Sequence, residues 1–183
     1  SEVTTLGQDN GSYERTFMLR KNIIYKGKNQ VVNGQFSFSF IVPKDIAYNY
    51  GYGKISYFAE DGVHTANGYY ENIIIGGSNT SASEDNSGPL ITLFMNDTLF
   101  ENGDITSPNP FLLADVFDES GINTVGNGIG HDIVAILNGD TENPYNLNEF
   151  YESDFGSYKS GTVLFPFTNL PPGEHEIRFR IWD

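Results

Sequence analysis

The sequence has no cysteine, few cations and no long apolar run, and each shortage removes a class of function. Without cysteine there are no disulfides, no thiolate metal ligands and no thiol nucleophile, so apolar packing must hold the chain together. Ten basic against 24 acidic side chains give the 183 residues a formal charge of −14, which repels nucleic acid. No stretch approaches the roughly 20 apolar residues that span a bilayer. The opening Ser1-Glu2-Val3 is not an export signal, and the chain stops at Asp183 straight after an alternating run. It is therefore expected to be an excised segment of an exported protein. Helical periodicity is also missing, which argues against α/β enzyme folds.

What is present is alternation. Phe36, Phe38 and Phe40 alternate with Ser37 and Ser39, and Ile177, Phe179 and Ile181 alternate with Glu176, Arg178 and Arg180. Each run has one apolar and one polar face, as a half-buried strand requires. Further short strands are predicted at residues 16–19, 23–26, 54–59, 72–75, 90–95, 112–117, 133–137 and 162–167, with one turn of helix inside 147–151. Short strands punctuated by Gly, Asn, Asp and Pro turns build sandwiches. Residues 76–88 hold no large apolar side chain, which predicts a flexible linker at 78–88 between a first domain, 1–77, and a second, 89–183. The expected fold is all-β, with two immunoglobulin-like β-sandwich domains in tandem and the second cut short at its C-terminus.

Catalytic patterns are absent. No Gly-x-Ser-x-Gly occurs, and His64, His131 and His175 sit in unrelated contexts, two of them reading as exposed loop positions. The densest cluster of unusual residues runs from Asp118 to Asp132 and contains four glycines. Asp118, Glu119 and Asp132 are weak candidate ligands for calcium, an ion that takes about six to eight oxygens. Their spacing does not match a calcium-binding helix-loop-helix, and the ordinary reading is a loop whose Asp, Ser and Asn side chains cap turns. The loop is no phosphate grip either, since no Lys-Ser/Thr follows its glycines. Tyr48 to Tyr52 and the pair Tyr69-Tyr70 could stack on sugars, although such residues more often seal the ends of a sandwich. Asp140, Glu142, Glu149, Glu152 and Asp154 offer paired carboxylates, but in a connection that reads as a solvated loop. Trp182, at the end of the chain, is expected to pack against something that this chain or its parent supplies.

Four runs carry a resemblance: Phe36-Ser37-Phe38-Ser39-Phe40-Ile41-Val42-Pro43-Lys44-Asp45-Ile46, Gly53-Lys54-Ile55-Ser56-Tyr57, Gly126-Asn127-Gly128-Ile129-Gly130-His131-Asp132-Ile133 and Phe179-Arg180-Ile181-Trp182-Asp183. They resemble the gingipain-like cysteine peptidases, in the branch that serves as C-terminal signal peptidase of the type IX secretion system. The resemblance spans most of the chain and falls on the β-rich region after the peptidase domain. It implies a parent at the outer surface of Bacteroidetes-type bacteria that removes the C-terminal sorting domain of secreted cargo and joins the cargo to a lipopolysaccharide anchor. The family's catalytic Cys and His cannot be carried over, because a cysteine peptidase without cysteine is impossible. The implied role is a non-catalytic support or docking segment without cofactor. Its partners would be the adjacent peptidase domain and secreted cargo or other secretion-system proteins. A reading of a different class is a carbohydrate- or calcium-dependent adhesion module built on Tyr48 to Tyr52 or on the Asp118 to Asp132 loop.

Overall fold

The computed structural model describes residues 2–18, 23–42, 50–77, 79, 81, 85–124 and 131–183. In chain order its strands are β1 (Glu2–Thr4), β2 (Thr16–Met18), β3 (Gly51–Tyr52), β4 (Ile55–Glu60), β5 (Thr65–Tyr70), β6 (Ile74–Ile75) and β7 (Leu90–Met95). They continue with β8 (Phe111–Phe117), β9 (Val134–Leu137), β10 (Tyr145–Asn146), β11 (Tyr151–Ser153), β12 (Ser160–Pro166) and β13 (Ile177–Arg180). The expected helical turn is a single 3-10 turn at Asn148–Phe150. The protein is all-β.

The second half forms a two-sheet sandwich. One sheet has the order β11-β12-β8-β7 and the other β10-β9-β13, with every neighbour antiparallel. In β8 the sequence Phe-Leu-Leu-Ala-Asp-Val-Phe sends every second residue inward, and Leu112, Ala114 and Val116 are buried. Val163 of β12 joins them, and Ile133, Ala135 and Ile181 close the core from the opposite sheet. Leu147 and Phe167 plug one end, where Phe167 meets Tyr145 and Phe165 edge to face at centroid distances of 5.1 Å. Burying each such side chain stabilises the fold by about 1.5–3 kcal/mol.

The first half is built differently. The first domain expected over residues 1–77 consists, among the described residues, of the ribbons β1-β2, β3-β6 and β4-β5. None of its described residues is buried, and the first buried one among the described residues is Pro110. The predicted runs 23–26 and Phe36 to Phe40 are not assigned as strands. Their apolar periodicity instead builds a stack of rings, in which Tyr25 lies 4.7 Å from Phe40, Phe40 6.3 Å from Phe38 and Phe38 6.4 Å from Phe36, all within 11° of parallel. A two-stranded ribbon has one sheet's worth of partners, so alternation there shapes a face without enclosing it. The β4-β5 turn is set by Asp61, whose Oδ1 accepts the Val63 and His64 N–H groups at 2.9 and 2.7 Å, with Gly62 at φ 84°. Those bonds also hold the Asp61 carboxyl below its ordinary range.

One first-half segment crosses to the sandwich. The Gly156 N–H donates to the Lys28 carbonyl at 2.8 Å, the Ser153 hydroxyl donates to the Lys26 carbonyl at 3.3 Å, and the Lys28 ammonium lies 2.5 Å from Glu152. Residues 25–28 thereby run past β11, the outermost strand of its sheet, and shield an edge that would otherwise offer unpaired backbone groups.

Candidate functional site

Where the first half meets the sandwich lies a cleft of about 1030 Å³. Phe40, Ile73 and Ile75 give it an apolar wall, and Asp85, Asn123 and Asp183 line its acidic end. The acidic end is assembled by the turn that follows β8. The Asp118 N–H donates to the Lys159 carbonyl at 2.7 Å, and the Asp118 Oδ1 accepts the Ser120 N–H at 2.7 Å. Gly121 follows at φ 95°, where a Cβ would stand 2.8 Å from the Tyr158 ring. Glycine is required there on both counts. The turn sets the Ser120 hydroxyl on the Asp85 carboxylate, and the Asn123 N–H bonds the Trp182 carbonyl at 2.9 Å, which brings Asp183 alongside.

The carboxylates of Asp85, Asp118 and Asp183 offer oxygens that all lie within 4.8 Å of one another. Asp118 is 5% exposed. Burial pushes its carboxyl above the ordinary value, Asp183 and Asp85 push the same way, and the Ser120 N–H pulls against them. A folded value above the unfolded one means that the folded state binds more protons between the two. Stability is then full below the unfolded value of 3.8 and declines as pH rises through the folded value. Asp118→Asn keeps the acceptor for Ser120 but removes the charge. It is expected to flatten the fall in melting temperature over that window, and an unchanged profile would count against a strained carboxylate.

Of the three candidate ligands read from sequence, the structure places Asp118 in this group. Glu119 is exposed and receives the Lys159 ammonium at 2.5 Å. The Asp132 Oδ1 is buried without a hydrogen-bond partner, as is the Trp182 indole nitrogen. Residues 125–130, which carry three of the loop's glycines, lie outside the described residues. Asp85 and Asp183 were not legible as site residues, because one belongs to the expected linker, the other ends the chain, and only the fold brings them to Asp118. One oxygen from each of the three carboxylates could hold a hard cation there, three ligands against the about six to eight oxygens calcium takes.

The remaining candidates are separate. His64 is exposed beside Asp61, and the His175 ring nitrogens lie 3.0 Å from the Asn138 amide nitrogen and 2.8 Å from the Pro171 carbonyl, so it ties a turn rather than standing in solvent. His131 leans on Trp182 at a centroid distance of 5.0 Å, and the Arg180 guanidinium sits over the same indole. Tyr50, Tyr52, Tyr69 and Tyr70 stand exposed rather than sealing a core, while Tyr48 and Asn49 lie outside the described residues. In the acidic connection, Asn143 holds Asp140 and Lys28 holds Glu152.

Fold and site together define an all-β segment with an acidic, part-apolar cleft. With no cysteine the chain carries no cysteine-peptidase catalytic site. Among solved structures it is similar to dimeric latent PorU from Porphyromonas gingivalis, at 38% identity over 79% of this chain and a TM-score of 0.53. The chain spans 14% of the length of that protein. No family model matches the chain, and no curated protein does. Among the described residues no helix is long and apolar enough to cross a membrane.

Proposed function

We propose that these 183 residues are a non-catalytic docking and support segment of a larger cell-surface cysteine peptidase serving the type IX secretion system. The observation that carries this reading is the 38% identity to PorU over 79% of the chain, in a segment that has no cysteine of its own. The chemistry then belongs to a peptidase domain elsewhere in the parent. The segment contributes a rigid sandwich and, at the junction with the first half, a cleft with an acidic end and an apolar wall, a combination suited to holding another protein surface. In this reading the sandwich half is an immunoglobulin-like unit joined through residues 78–88 to the ribbon-built first half, and together they set the peptidase domain against secreted cargo or another component of the machinery outside the cell.

Deleting residues 13–75 or 89–183 from the parent is expected to abolish cargo processing while the peptidase domain stays folded and still reacts with an active-site thiol label. Normal processing after either deletion would sink the proposal.

A further inference from the structure

Among the described residues one end of the sandwich leaves part of its core face uncovered. Ile91, Leu93 and Met95 of β7 pair with Val116, Ala114 and Leu112 of β8, so all three share the core face of their sheet. Met95 packs against the core, yet Ile91 is 40% exposed and Leu93 38%. In the opposite sheet, strand β10 is held over β12 by the contacts of Tyr145 with Phe165 and Phe167, and Asp183, just past β13, meets Asp85, just before β7, which puts β13 on the β7 side.

Among the described residues no strand pairs with β13 on that side. The Asn138 N–H donates to the Glu176 carbonyl at 2.8 Å, and hydrogen-bonded pairs alternate along an antiparallel ladder, so Arg178 and Arg180 face β9 as well. The N–H and C=O groups of Ile177 and Phe179 therefore point away from β9, and β13 has no second strand partner among the described residues. An uncovered apolar patch and an open strand edge adjoin each other.

We propose that β13 receives a further extended strand from the same longer polypeptide, outside residues 1–183, which pairs with Ile177 and Phe179 and lays apolar side chains over Ile91 and Leu93. This rests on the reading of the chain as a segment of a larger protein. The strand's chemistry follows from its seat: alternate apolar residues face the core, and acidic residues lie opposite Arg178 and Arg180 on the outer face of β13. A second copy fits less well, because pairing its β13 here would bring its own β7 into the same space.

Amide exchange tests this on two samples, residues 1–183 alone and the full natural polypeptide that contains them. In the first, the Ile177 and Phe179 amides are expected to exchange at least about 100-fold faster than those of Arg178 and Arg180, and in the second to slow into the same range. In the full polypeptide Leu93→Asp should abolish the added protection, whereas in residues 1–183 it should leave the exchange of the β12 amides unchanged. No added protection in the full polypeptide overturns the proposal, and so does protection in residues 1–183 that grows with concentration, which would assign the edge to a second copy. Added protection combined with normal cargo processing after deletion of 89–183 would remove the docking function and leave the strand in place.

Discussion

Phe167→Ala is expected to lower the unfolding free energy by about 3–5 kcal/mol, measured by urea denaturation. Phe167 is 2% exposed, its ring meets both Tyr145 and Phe165, and its N–H is fixed on the Pro110 carbonyl at 2.9 Å. With the backbone anchored on both sides, the walls cannot collapse into the space a benzyl group leaves, and the cavity cost adds to the lost transfer energy. The loss is a large part of the roughly 5–15 kcal/mol that holds a domain together. Phe58→Ala provides the contrast. Phe58 is 68% exposed on the β4-β5 ribbon, and its truncation is expected to stay within about 0.5 kcal/mol. Equal losses at the two sites would mean that the first half has a core of its own.

Gly161→Ala is expected to cost about 1–3 kcal/mol and to loosen the join between the halves. A Cβ on Gly161 would stand 2.5 Å from both the Glu152 carbonyl oxygen and the Tyr151 hydroxyl. The carbonyl is backbone in the partner strand, so relief requires β11 to move away from β12. Tyr151 is buried there, with its hydroxyl donating to the Ser160 carbonyl at 3.3 Å, and burial pushes its ionisation well above the ordinary tyrosine value. Moving β11 also disturbs Ser153, Glu152 and Gly156, the residues that hold the Lys26 to Lys28 segment. Amide exchange at Gly156 should therefore quicken along with the loss of stability. Gly68→Ala, where a Cβ would meet nothing within 4 Å, should leave both unchanged. If Gly156 stays protected in Gly161→Ala, the join does not depend on β11.

Local pattern made the sandwich strands legible. Alternation over residues 177–181 identified both the strand and its inner face, because a half-buried strand has to alternate, and residues 112–117 were legible as a short strand between turns. The ribbon strand β5 was invisible, since Thr-Ala-Asn-Gly-Tyr-Tyr does not alternate and all six residues are exposed. It is a strand because the Asp61 turn folds it back on β4. The three residues of β11 lay within what reads as an acidic loop, and only their pairing with β12 makes them a strand. The ring stack of Tyr25, Phe36, Phe38 and Phe40 shows the reverse case, a strand-like pattern that the structure uses without strand pairing.

The sequence by itself determined that the chain is β-structured and that no cysteine chemistry can occur in it, because both follow from residue identity and local periodicity. Only the tertiary structure decided in which half the described residues form a core, that Asp85 and Asp183 join Asp118, and that β13 has no second strand partner among the described residues. Each of these depends on which distant segments meet, and strand order and turn geometry set those meetings rather than any local pattern.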